Sequence, residues 1–302
     1  WDMLERGYTM HHAISQDKQG NILATVSKTS AKIANGKDVR INDFIIMMDP
    51  EKGEILQEWD LVHMLDSARY GMTDYDLTSD PFAQSASNWA HNNGIVEWGD
   101  DYLATARYQG IFKFNKAGGI EWIISPHGYW RDKYLKLLLN PLHADGTPIT
   151  DPEVIAGTKN CDDFEWPWGC HTAVPLPNGH ILYFNNGYGR NFKLDFTDRK
   201  NIYTCGIEYE VDEVNRTVRQ VWQYGKERGA AYFTPARSGV QYLEQTGNRL
   251  ICPGMSNVLS NGNRGARVTE VDPETQDVVF ELELEDAIYQ RVYRMSLYPE
   301  NQ

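Results

Sequence analysis

Short runs of alternating apolar and polar residues, broken by clusters of Asp, Asn, Pro and Gly, occupy most of the chain, and little of it carries the spacing of an amphipathic helix. Four segments share a strand, a turn and a second strand ending near an aromatic: FIIMMDPEKGEILQEWDL from Phe44, GIFKFNKAGGIEWIIS from Gly110, GIEYEVDEVNRTVRQVWQYG from Gly206 and RVTEVDPETQDVVFELELE from Arg267. Each predicts a β-hairpin, because strand side chains alternate between two faces and the cluster between the arms suits a turn. A second strand–turn–strand unit precedes each hairpin: HHAISQDKQGNILATVSK, HNNGIVEWGDDYLATARYQ, HTAVPLPNGHILYFNNGYGR and SGVQYLEQTGNRLICPG.

Four strands per repeat with little helix is the signature of a propeller blade. The expected fold class is therefore all-β, a β-propeller with about four blades in residues 1–302. Nine residues separate His12 from Ile22 and His171 from Ile181, and ten separate His91 from Tyr102, so His12, His91 and His171 take the same place in successive repeats. Their starts are 79 and 80 residues apart. That exceeds the ~40–45 residues of a compact WD40 blade, which calls for long loops. The stretches MTDYDLTSDPFAQSASN and Gly128 to Cys170 supply them, and RDKYLKLLLNPL suits a helix.

Composition narrows the partners. The chain carries 29 Lys+Arg against 42 Asp+Glu, a net charge of −13, and its basic residues form no run, which argues against nucleic acid. No apolar stretch approaches the ~18 residues of a membrane span, and nothing at the start, which is Trp1, reads as a signal peptide. An anionic ligand would need a local pocket that opposes the overall charge.

The repeat supplies such a pocket. First strands of propeller blades line the central channel, so equivalent positions about 80 residues apart meet near the axis. Residues i and i+2 share a strand face, which puts Asn93 with His91, and Arg107 in LATARYQ can reach the same end. His12, His91, Asn93, Arg107 and His171 form the expected constellation, while His11 should face away and His63, His127, His143 and His180 fall in loops or turns. Imidazoles, a guanidinium and an amide suit a tetrahedral oxyanion such as sulfate or phosphate. Three histidines could also hold zinc, although Arg107 would repel a cation and no carboxylate stands at ligand spacing.

At these residues the sequence resembles the bacterial aryl-sulfate sulfotransferase family, the type that does not use the nucleotide sulfate donor. The matching pieces are HHAISQDKQGNILA, WAHNNGIVEWGDDYLATARYQ, CHTAVPLPNGHILYFNNGYGR and WQYGKERG, in family order over most of the chain. The resemblance implies a six-bladed propeller with an additional N-terminal β domain, of which this chain would lack that domain and about two blades. It makes His171 the nucleophile that takes the sulfuryl group, and it places His12, His91, Asn93 and Arg107 on the sulfate. Arg237, in TPARSG, stands where the family has Thr, with Thr234 three residues earlier, and could supply a further anion contact. The family also has a disulfide near its active site. Cys161 and Cys170 bracket DDFEWPWG just before His171, so a bridge there would suit a periplasmic or secreted protein, with two reduced thiols as the alternative. Cys205 and Cys252 read as buried thiols.

The mechanism this implies needs no cofactor and no metal. Attack by His171 on an aryl sulfate donor would release a phenol and leave a sulfohistidine, and a phenolic acceptor would then take the group, in ping-pong order. Neighbouring cations should keep the His171 ring neutral, and either His12 or His91 would move the phenol proton. Trp89, Trp166, Trp168 and Tyr188 could stack on aryl rings but fit packing as well, and stay outside the expected site. A homodimer is compatible with the sequence. Two other readings stay open: a metal-dependent hydrolase or lyase built on the histidines, and a non-catalytic binding propeller.

Overall fold

Each of the four repeats folds as an antiparallel four-stranded meander. In the computed structural model, which describes residues 1–35, 38–69, 71–72, 75–76, 89–193, 197–258 and 264–284, the sheets radiate as propeller blades. The first blade comprises Tyr8–Gln16, Ile22–Asn35, Asp38–Met48 and Ile55–Asp60. Asn92–Trp98, Asp101–Ala106, Gly110–Phe114 and Ile120–Ile124 form the second. The third, His171–Pro175, Ile181–Asn185, Cys205–Asp212 and Thr217–Tyr224, gains a parallel fifth strand, Asn140–Leu142, at its outer edge. Ser238–Tyr242, Arg249–Pro253, Arg264–Val271 and Val278–Leu284 make the fourth, with the short strand Ser256–Val258 beside it. The innermost strand of each blade touches that of the next.

Period-two alternation explains the packing. In the third blade Ile181 and Tyr183 face the second blade, in a core with Leu103, Ile111 and Trp122, while Leu182 and Phe184 face the fourth, with Val240, Ile251 and Val271. The second blade divides the same way, sending Ala104, Phe112 and Phe114 toward Leu23, Ile45 and Trp59 of the first. Apolar residues on both faces of a blade therefore have a neighbouring blade to cover them.

One expectation changes. The helix foreseen in RDKYLKLLLNPL is a single turn, Asp132–Leu135, after which Leu137 and Leu139 bond the Ile123 backbone and extend the second blade's edge. Pairing with a sheet edge wins over local helix propensity there. Apart from 72 and 75–76, the long loop expected over 72–88 lies outside the described residues.

One backbone device recurs on the axis. Each innermost strand carries, within it or just before it, a non-glycine residue in the left-handed region: His12 (φ 56°), His91 (φ 53°), Thr172 (φ 45°) and Arg237 (φ 62°). In the first three strands the ladder register breaks at or beside that residue. The bulge cancels strict alternation, so neighbouring side chains can reach the same side. Its loose backbone is held by a threonine in the adjacent strand: Thr25 donates to His11 O and accepts from Ala13 N, and Thr105 donates to the Asn93 side chain at 2.7 Å. Gly94 permits this closeness, since a Cβ there would lie 2.3 Å from Thr105 Oγ1.

Candidate active site

The bulges bring His12, His91 and His171 together at the inner ends of three blades. His12 and His91 have ring centroids 4.6 Å apart, and His12 and His171 6.4 Å apart. His171 is buried at 2% exposure, and its Nδ1 lies 2.6 Å from Asn186 Oδ1 and 3.2 Å from Gly169 O. Asn186 donates through Nδ2 to Thr234 O and Ser238 Oγ, at 2.9 and 3.0 Å, which fixes the amide with its oxygen toward the imidazole. Both neighbours of Nδ1 are thus acceptors, so Nδ1 carries the proton and Nε2 carries the lone pair.

His12 and His91 form a second unit. Their Nε2 atoms are 3.0 Å apart, and His12 Nδ1 lies 2.9 Å from His11 Nδ1. His11 was expected to face away; the left-handed turn at His12 overrides the alternation and turns both rings together. His11 Nε2 then reaches Ser27 Oγ at 3.0 Å, and Ser27 lies 3.2 Å from the buried Asp43 carboxylate. Burial, reinforced by the charges of His11, His171 and Arg107 against an opposing Asp43, lowers His12 to a pKa of about 3. Burial first, then His12, Arg107 and His171, hold His91 well below the ordinary histidine range.

Arg107 is buried at 2% exposure; its Nη2 donates to Pro235 O at 2.7 Å, and its guanidinium lies 4.7 Å from the Tyr188 ring centroid. Asn93 is tied into the backbone of the site. Its amide donates to Cys170 O at 2.8 Å and accepts from Thr105, so it holds the backbone next to His171. Arg237 occupies the fourth left-handed position, its carbonyl accepting from Gly254 N, while Thr234 is wholly buried and bonds Ala236 O. The fourth blade meets the site through the Thr234 and Pro235 carbonyls and the Ser238 hydroxyl.

The structure does not pair Cys161 with Cys170, so the expected bridge is corrected to two free thiols. Their surroundings differ: Cys161 donates to Asp163 at 3.1 Å, whereas Cys170 is fully buried with its sulfur 4.0 Å from Ala106 O. Cys205 and Cys252 are buried as expected. Among the described residues, the one group able to bring three metal-ligand atoms within 4.8 Å of one another is His143, Cys161 and Asp163, outside the axial cluster. The remaining histidines serve local contacts, His180 with Glu208 at 2.7 Å and His127 with Leu139 O.

Beside Arg107 lies a cleft lined by Tyr108, Trp168, Tyr188, Phe192 and a second buried arginine, Arg69. Arg69 ties loops together by donating to Tyr108 O and lies over the Trp130 ring. Trp168 and Tyr188 therefore sit next to the candidate site, whereas Trp89 and Trp166 belong to the core. Sequence reasoning missed Asn186, Ser27 and Asp43. A signal existed for two of them: Ser27 and Asn186 follow Leu23 and Leu182 by four residues, as Arg107 follows Leu103.

Such a site can bind a tetrahedral anion and offer it a neutral imidazole nitrogen. Arylsulfate sulfotransferase AssT of Escherichia coli O6:H1 is 29% identical over 325 residues, covering 97% of this chain and 54% of its own. The protein of the same name from Lelliottia amnigena is 29% identical over 326 residues with the same coverage. The chain thus spans about half the length of the curated relatives it matches. A solved structure titled "Structure of Dos1 propeller" is similar with a TM-score of 0.38 at 10% identity, covering 92% of this chain and 62% of that one. No helix among the described residues is long and apolar enough to cross a membrane. The profile described as Arylsulfotransferase (ASST) matches residues 2–294, and the chain belongs to that family.

Proposed function

We propose that this chain moves a sulfuryl group from an aryl sulfate to a phenolic acceptor, in two steps, through a sulfohistidine on His171. The observation that carries the reading is the tautomer of His171: Asn186 and Gly169 hold its proton on Nδ1, so Nε2 is nucleophilic without prior proton loss. In the first step Nε2 attacks sulfur, an N–S bond forms, and the S–O bond to the aryl group breaks. The transition state is loose, with charge spread over the sulfuryl oxygens and the departing oxygen. Arg107 and the polar axial groups would stabilise that charge in a buried site. Phenol as acceptor then reverses the sequence, with the released N–S electron pair returning to Nε2.

The aromatic lining of the cleft beside Arg107 supports an aryl substrate, and the net charge of −13 makes a local cationic site necessary for any anion. The test is a chromogenic aryl sulfate, 4-nitrophenyl sulfate, with and without added phenol. Sustained nitrophenolate release should need the acceptor and should leave an acid-labile sulfo adduct on the wild type. His171→Ala should lower turnover by at least about 1,000-fold and abolish the adduct. Release that is unchanged in His171→Ala would sink the reading.

A further inference from the structure

We propose that His91, His12, His11 and Ser27 form a proton wire that ends on the buried carboxylate Asp43, with His91 as the group that exchanges a proton with the phenol. The inference rests on the transfer reaction proposed above and assigns residues to its proton. Every link is at hydrogen-bond distance: 3.0 Å from His91 to His12, 2.9 Å from His12 to His11, 3.0 Å from His11 to Ser27 and 3.2 Å from Ser27 to Asp43.

The donors can be deduced from the acid end. Asp43 accepts only, so Ser27 donates to it and must accept from His11 Nε2–H. A neutral His11 then has its lone pair on Nδ1, which obliges His12 to donate from Nδ1. His12 in turn has its lone pair on Nε2, so His91 donates from Nε2 and presents Nδ1 as a base. All donors point toward Asp43.

Loading the wire reverses every histidine link. As the acceptor oxygen bonds sulfur and the N–S bond of sulfo-His171 breaks, the phenol proton goes to His91 Nδ1. The His91 Nε2 proton passes to His12 Nε2, and the His12 Nδ1 proton passes to His11 Nδ1. His11 becomes an imidazolium that keeps its bond to Ser27, with Nε2 3.5 Å from Asp43 Oδ1. When the next donor reacts, the steps run backward and the proton leaves on the departing phenol, so each cycle balances. Neither inner histidine can store the proton: His12 and His91 are buried against each other and against the positive charges of Arg107 and His171. His11 is the storage point because, of the three rings in the wire, its nitrogen is the one beside the Asp43 carboxylate. Asp43 also accepts from Asn92 N at 2.9 Å, which holds the two ends of the wire at a fixed spacing.

Two measurements test this on the full chain. Long-range ¹H–¹⁵N correlation of the histidine rings should find the His91 proton on Nε2 and the His12 proton on Nδ1 in the resting wild type, and Asp43→Leu, which removes the acceptor that sets the order, should mix the two tautomers of each ring. A resting His91 protonated on Nδ1, or tautomers unchanged by Asp43→Leu, overturns the wire. In single-turnover kinetics, His11→Gln should leave the first nitrophenolate burst from 4-nitrophenyl sulfate within about twofold, because that anion departs without a proton. It should slow transfer to phenol, whose proton leaves near pH 10 like that of tyrosine, by about 10–100-fold. The deficit should shrink for more acidic phenols. An equal loss in both half-reactions, or one independent of acceptor acidity, assigns His11 a structural role and overturns the proposal. A wild type with no burst at all removes the transfer reading instead, and the tautomer measurement still decides the wire.

Discussion

Asn186 controls His171 through a single hydrogen bond of 2.6 Å, and that bond is itself oriented by two others from the same amide. Asn186→Leu keeps the volume close and removes the acceptor, so the imidazole can move its proton to Nε2 and lose nucleophilicity. The rate of sulfo-adduct formation should fall by about 100-fold while the melting temperature changes little more than for an ordinary buried polar loss. Quench-flow detection of the adduct, set beside a thermal melt, separates the two effects; an unchanged adduct rate means the tautomer is set by something else. Gly187 sits next to this amide with φ 69°, and a Cβ there would lie 2.1 Å from Tyr203 O, so the strand end that carries Asn186 has little freedom to drift.

Among the elements, the innermost strands concentrate both the strain and the chemistry. Thr172 is β-branched in the left-handed region at φ 45°, and its hydroxyl is buried without a hydrogen-bond partner among the described residues. Thr172→Gly removes both penalties and should stabilise the fold by about 1 kcal/mol, seen as a melting temperature a few degrees higher. If the strain aims His171, the same variant should lower the transfer rate; a variant that is both less stable and fully active contradicts this account. These strands also mark where sequence reading succeeded and failed. Alternation located the hairpins of all four blades, and equal spacing gathered His12, His91 and His171, because both signals repeat along the chain. The bulges have no such signature. Assuming strict alternation turned His11 away from the site, when the left-handed residue at His12 turns it in. The fully equivalent residue in the third blade is Thr172, one after His171, which residue counting alone could not separate. Ser27 and Asn186 were legible by the position of Arg107 in its own repeat, yet Asp43, on the third strand, becomes a neighbour only through sheet pairing.

For the whole molecule, the buried histidines set an acid limit on stability. The pKa of His12 falls to about 3 on folding, so between about 6.5 and 3 the unfolded chain binds a proton there that the native chain refuses. His91 shifts in the same direction. Stability should therefore rise with pH across this window and be lost as pH drops from about 6.5 toward 3. Denaturant melts at pH 7, 5.5 and 4.5 should give falling midpoints, and His91→Gln should flatten the slope; midpoints that rise on acidification would show that carboxylate protonation outweighs the histidines. The surplus of acid in the chain, −13 overall, adds its own repulsion at high pH and lies away from the axis, where Asp43 is the carboxylate in contact with the cluster.

The four left-handed positions have a consequence for how such a centre can be altered. Because the same kink recurs with different residues, His12, His91, Thr172 and Arg237, each blade offers a backbone socket whose shape does not depend on the side chain it carries. The sheets behind the sockets pack through their own alternating faces. The residues at these positions can thus be exchanged one blade at a time, with the packed walls behind them left as they are.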